Sequence, residues 1–244
     1  MEEHGEQRAL VRRMRRLGAA AVGLALAAAG PATGLAAGQC RLALSLGLDV
    51  SSSVDAREYR LQTAGLAAAL VAPEVVAAFL AVPGQPVMLQ IFEWSGWQQQ
   101  MVRQDWVTIA GEGDLVEVAA RIAAQQRSFD QLPTALGFAL AFGGRALAER
   151  GDCARRTLDV SGDGTNNDGI SPEMARRDPM LAGVTVNGLV VGATAATLAR
   201  YYQRFVIQGP GAFVESADRY EDFERAMRRK LQRELGVFEV SGGE

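Results

Sequence analysis

The sequence predicts an α/β protein whose doubly wound, mainly parallel sheet carries helices on both faces and one antiparallel hairpin strand at an edge. Three observations predict it. Apolar runs of strand length alternate with longer stretches of helical spacing, the pattern of a parallel sheet covered on both sides. No internal repeat or low-complexity linker divides the chain after Gly38. One Ser95-Gly96 turn joins two strands directly and so marks an antiparallel pair.

Residues 42–48 are a short apolar run ending in Asp49, and read as a buried strand. Residues 55–80 have helical spacing, interrupted near Pro73. Residues 87–94 read as a strand, and residues 97–102 return from the turn as its hairpin partner. Residues 114–126 predict an amphipathic helix. Residues 134–149 predict another, rich in alanine, with glycines that allow close packing. Residues 157–161 are a strand, followed by a polar loop over 162–169. A helix over 171–181, an apolar strand over 184–191 and a helix over 195–205 come next. Residues 212–215 predict a last short strand, and 219–235 a charged amphipathic helix. In such sheets ligands bind beyond the carboxyl ends of the strands, where the strand order reverses.

Composition narrows the chemistry. Of 244 residues, 48% are hydrophobic and 22% charged, ordinary for a globular protein, and residues 38–244 read as one domain. Without the five Arg and three Glu that precede Gly38, the formal charge moves from −3 to −5, which gives no electrostatic case for nucleic acid. The one histidine, His4, lies in the leader, and the one lysine is Lys230. A body without histidine excludes Ser-His-Asp and Cys-His mechanisms and imidazole ligation of zinc. A single late lysine excludes a phosphate-binding Gly-Lys-Ser/Thr loop.

Residues 1–37 read as a secretory signal. Arg8, Arg12, Arg13, Arg15 and Arg16 precede an apolar run over 17–29, Pro31 breaks it, and Gly34-Leu35-Ala36-Ala37 offers small residues for cleavage. Met14 is an alternative start, and the paired arginines permit a twin-arginine route. An uncleaved anchor is one alternative. A lipidated Cys40 is another, opposed by Gln39 where a small residue is expected. No later segment is long and apolar enough to cross a membrane, so the mature chain is expected in the periplasm or secreted.

Three segments carry oxygen ligands at strand ends or helix starts: Asp49-Val50-Ser51-Ser52-Ser53, Pro133-Thr134 and Ser161-Gly162-Asp163-Gly164. Carboxylates and hydroxyls without sulfur or imidazole suit hard cations. Mg²⁺, Mn²⁺ and Ca²⁺ are all such ions. An open coordination position on such an ion would attract an external acidic group.

Asp49-Val50-Ser51-Ser52-Ser53 matches the Asp-x-Ser-x-Ser signature of von Willebrand factor type A domains, and Thr134 and Asp163 sit where that family has its later threonine and aspartate. From about residue 41 to residue 235 the chain is similar to that family in element order. More closely, Asp159-Val160-Ser161-Gly162-Asp163-Gly164, Asn187-Gly188-Leu189 and Gly209-Pro210-Gly211-Ala212-Phe213 resemble a bacterial group of exported, uncharacterised proteins with this fold. The resemblance implies a metal-ion-dependent adhesion site for a Mg²⁺-like ion, with Mn²⁺ or Ca²⁺ as alternatives, in which Ser51, Ser53 and Thr134 bind the ion and Asp49 and Asp163 bind directly or through water.

Where the family commonly has Thr-Asp-Gly, this chain has Gly162-Asp163-Gly164. Asp163 is preferred over Asp159 because it ends the strand; Asp159 is left a structural or outer-shell contact. Plainer roles stand beside these. Ser53 or Asp55 could cap the following helix, and Thr134 its own. Residues 163–169 partly match a calcium loop but lack its distal Glu. Asn166 and Asn167 read as turn formers, Trp94 and Trp97 as packing residues or, if exposed, a pair able to contact a partner, Gly209-Pro210-Gly211 as a turn and the last helix as a solvated face.

The family fold also implies that the strands after Cys40 and Cys153 are parallel neighbours. A disulfide would then join their starts, opposite the metal, as suits an oxidising compartment. The functional expectation is a non-enzymatic module binding a protein ligand through an acidic residue that completes the metal's coordination. The alternatives are a Mg²⁺-dependent phosphoryl-transfer hydrolase with Asp49 as nucleophile, and a structural envelope protein with a vestigial site.

Overall fold

The structure is a computed structural model that describes residues 40–236. The expected leader over residues 1–37 lies outside them. Strands β1 (Leu42–Asp49), β2 (Val87–Trp94), β3 (Gln100–Ile109), β4 (Arg156–Gly162), β5 (Thr185–Val191) and β6 (Val214–Ala217) form one sheet in the order β3-β2-β1-β4-β5-β6. Every neighbouring pair is parallel except β2 and β3. The predicted class is therefore the observed one.

Helices α1 (Ala56–Leu70), α2 (Pro73–Phe79), α3 (Glu112–Ala123), α4 (Leu136–Ala148), α5 (Pro172–Ala175), α6 (Ala195–Phe205) and α7 (Phe223–Leu235) cover the sheet. β1 shows how the two faces divide. Leu42, Leu44, Leu46 and Leu48 pack with Leu66 of α1, Phe79 of α2, Leu115 of α3 and Phe223 and Leu231 of α7. The alternate residue Ala43 packs with Phe92, Leu140 of α4, Leu158, Val160 and Tyr202 of α6 on the other face. Burying each leucine contributes roughly 1.5–3 kcal/mol, so this central strand is held from both sides.

Several boundaries differ from expectation for local reasons. The stretch over 55–80 is two helices: Ala72 is extended and Pro73 starts α2, where its missing N–H costs nothing. β3 begins at Gln100 and runs to Ile109, because a polar edge strand hides the alternation and two register shifts break it further. α3 lies slightly earlier than predicted, since Asp114 reaches back to the Ala110 and Gly111 N–H groups at 2.8 and 2.9 Å. Residues 171–181 form only the one-turn α5 and a 3₁₀ turn, Pro179–Leu181, each started by a proline. β6 lies two residues later than predicted, and α7 begins after a 3₁₀ turn at Tyr220–Asp222.

The strand order reverses at β1: the chain runs outward through β2 and β3 on one side and through β4, β5 and β6 on the other. Asp49 lies opposite Trp94, and Leu48 opposite Ser161. The ends of β1 and β4 thus emerge side by side. At the other end of the same strands Cys40 and Cys153 form the expected disulfide, with Cα atoms 4.4 Å apart.

Candidate metal centre

Asp49 ends β1 fully buried. Its Oδ1 accepts the Ser51 N–H at 2.8 Å, a tight Asp-initiated turn that swings the chain off the sheet. Gln62 of α1 donates to the Asp49 carbonyl at 3.0 Å, and the Val50 N–H donates to Trp94 at 2.9 Å, so the turn is held by both neighbours. Arg127 directs Nη2 at the Val50 and Ser51 carbonyls, 2.6 and 2.7 Å away. The helix that follows is capped by Asp55, which accepts from the Arg57 and Glu58 N–H groups while Glu58 reaches back to the Asp55 N–H. Ser53 is thereby free of a capping role.

The hydroxyls face one another instead. Thr134 Oγ1 donates to Ser51 Oγ at 3.2 Å, Ser51 Oγ lies 3.1 Å from Ser53 Oγ, and Ser53 Oγ donates to Asp163 Oδ1 at 2.6 Å. Thr134 does not cap α4. The helix starts at Leu136, and Thr134 sits in the approach to it. Asn167 fixes that approach: its Oδ1 accepts the Thr134 N–H at 2.8 Å and its own N–H donates to the Thr134 carbonyl at 2.9 Å. Asn166 likewise accepts the Gly137 N–H at 3.0 Å. The asparagines expected only to turn the chain therefore clamp the second segment onto the third. All five predicted residues meet at the carboxyl end of β1 and β4, with Asp49, Ser51 and Thr134 buried, Asp163 half-buried and Ser53 exposed.

The interior side of this cluster was not anticipated. Asp49 Oδ2 is buried without a hydrogen-bond partner, and so are Trp94 Nε1, Tyr202 Oη and Tyr220 Oη. Tyr202 approaches from the α4–α6 face and Tyr220 from the α1–α7 face. Burial, and then the nearby Asp163, push the Asp49 carboxyl up to about 7 against the Ser51 hydrogen bonds. Burial and the charges of Asp49 and Asp163 raise both tyrosines, so their phenols stay protonated. Among the described residues no group of three or more His, Cys, Asp or Glu side chains is placed to hold a metal. The donor set here is two carboxylates and three hydroxyls, a set that suits a hard cation, and an unpartnered buried carboxylate oxygen fits one.

Asp159 points elsewhere. It is buried with Lys230 Nζ 2.9 Å from its Oδ1; Lys230 also donates to Glu234 at 2.5 Å, and Glu234 accepts from Asn187 at 2.9 Å. The last helix is thus a solvated face on one side only, and it delivers the chain's lysine into the core. Burial raises Asp159 to about 7, with Lys230 opposing. Trp94 is buried as expected, while Trp97 is about half exposed.

A model of the family described as protein of unknown function, DUF1194, matches residues 39–238. The chain is a member of the DUF1194 family. A search of curated proteins returns no match to this DUF1194 sequence. Its fold is that of von Willebrand factor type A domains. One similar solved structure is proximal thread matrix protein 1 from the mussel byssus "with zinc occupied MIDAS motif", at TM-score 0.59 and 13% identity, covering 81% of this chain and 46% of that one. A von Willebrand factor type A protein from Catenulispora acidiphila gives 0.58 and 13%, covering 81% and 43%. The pilus adhesin SpaC from Lactobacillus rhamnosus GG gives 0.58 and 12%, covering 80% and 31%. The DUF1194 chain therefore spans less than half of each of these neighbours.

Proposed function

We propose that this DUF1194 protein is an exported, non-enzymatic module that binds a protein partner through a divalent cation. Ser51, Ser53 and Thr134 would hold the ion, with Asp49 and Asp163 binding directly or through water. When bound, the ion supplies a positive centre able to accept a carboxylate from a partner. The observation that carries the reading is the convergence of five oxygen donors from three separate segments around a buried, unpartnered carboxylate oxygen. Mg²⁺ is the ion proposed, with Mn²⁺ or Ca²⁺ as substitutes; the zinc-occupied motif in the mussel protein supports a divalent ion in this fold.

Beside Ser53 an open groove of about 560 Å³, lined by Ser52, Val54, Asp55, Arg127, Ser128 and Asp130, gives a partner surface to engage around the metal. The disulfide supports an oxidising compartment, and a signal over residues 1–37 would provide export. The phosphoryl-transfer alternative is weakened by what surrounds Asp49. The lysine is buried against Asp159 and Glu234, and Arg127 is directed at backbone carbonyls. Titration with Mg²⁺ and Mn²⁺ by calorimetry tests the reading. Wild type should bind and Asp49→Ala should not, with the fold retained by circular dichroism; equal affinities would overturn it. Recovery of a partner from an envelope fraction, lost with EDTA, tests the second half.

A further inference from the structure

We propose that the Tyr202 hydroxyl is a positioning group of this centre, delivered from α6 into space that Gly162 leaves open, where it orients Asp49 for the metal. The inference rests on the metal reading above. A Cβ built on Gly162 would stand 2.7 Å from Tyr202 Oη, 3.0 Å from Asp49 Oδ2 and 3.5 Å from Trp94 Cζ2. A phenol oxygen and a carboxylate oxygen therefore aim at one point. Gly162 is not among the glycines with positive φ, so its backbone would accept a side chain; space alone forbids one. Gly188 on the adjacent strand clears the other flank, since a Cβ there would meet Tyr202 Cδ1 at 2.5 Å. Two glycines thus form a trough for one ring.

Tyr202 Oη and Asp49 Oδ2 both belong to side chains with no solvent exposure, and neither has a hydrogen-bond partner. Leaving such atoms unmatched is expensive, and two atoms this close to one point lie within the span of a direct bond or one bridging water. A neutral phenol can only help a carboxylate as a donor. Donation to Oδ2, added to the Ser51 N–H on Oδ1, fixes both oxygens of Asp49. Position 162 is where the resemblance expects a threonine, so the hydroxyl is supplied from a different element.

The proposal predicts a swap. Tyr202→Phe keeps the ring and should weaken Mn²⁺ binding about tenfold, the effect of one hydrogen bond to a charged group. Gly162→Ser alone should lower stability by colliding with the phenol. The double variant removes the 2.7 Å contact and puts a hydroxyl beside Asp49; it should bind Mn²⁺ within about threefold of wild type. A Tyr202→Phe variant with wild-type affinity, or a double variant no better than the poorer single one, would overturn the proposal. If wild type binds no Mn²⁺, the metal reading fails by itself. The hydroxyl is then judged in metal-free protein: carboxyl NMR of Asp49 should show its titration moving upward in Tyr202→Phe, and an unmoved titration counts against the pairing.

Discussion

Asp49 makes the stability of the metal-free protein depend on pH. Its folded pKa of about 7 lies above the ordinary 3.8, so the metal-free folded chain keeps a proton that the unfolded chain releases. Below about pH 4 both states are protonated and Asp49 is neutral toward folding. As pH rises toward 7 the metal-free protein should lose stability, and it should stay less stable above that. Asp159 titrates in the same direction, so it adds to the slope. Urea unfolding from pH 4 to 8 should therefore show a falling midpoint, and saturating Mg²⁺ should restore only the part due to Asp49. Asp49→Asn should flatten that part and raise metal-free stability at pH 8, while abolishing metal binding. Lys230 offsets the burial of Asp159 and Glu234 by pairing with both. Lys230→Met would leave Asp159 and Glu234 buried without their cation, and should cost about 3–5 kcal/mol in a urea titration.

At the scale of elements, the centre depends on a loop that Asn167 holds in place. Asn167→Ala removes the acceptor of a nearly buried Thr134 N–H, and should cost about 1–2 kcal/mol and weaken metal binding through Thr134 misplacement. Thermal unfolding together with calorimetry would measure both. This element also marks where sequence reading stops. The strands and helices were legible because burial imposes their periodicity, and Asp49, Ser51, Ser53, Thr134 and Asp163 were legible as short motifs at strand ends. Their convergence is now visible, while their role as ligands is a proposal. Asn166 and Asn167 were legible as polar loop residues, but what they grip is set by a segment about thirty residues away. Tyr202 and Tyr220 gave no signal, because an aromatic residue on an amphipathic helix reads as core. Only the glycines opposite Tyr202, Gly162 and Gly188, carried a hint, and sterics in three dimensions were needed to read it. The edge strand β3 was underestimated for a related reason: one face is solvated, and bulges break the alternation.

For the whole molecule, the sheet separates two devices. Eight-residue β1 puts the disulfide at one end and the oxygen cluster about 25 Å away at the other. Cys40 and Cys153 are 113 residues apart, so the bond removes much chain entropy from the unfolded state. A Cys40→Ala/Cys153→Ala variant should lose about 4 kcal/mol. Because the two devices share no partner, the variant's Mn²⁺ affinity at low temperature should match wild type. A large fall in affinity would mean that the strands shift together.

The buried position of Lys230 has a practical side as well. It is the only lysine in the sequence and has no solvent exposure. Amine-directed reagents should therefore mark the native protein at its α-amino group alone, giving uniform tethering for surface-based assays. A lysine-specific protease should leave the folded chain uncut, and cleavage after residue 230 would report opening of the last helix.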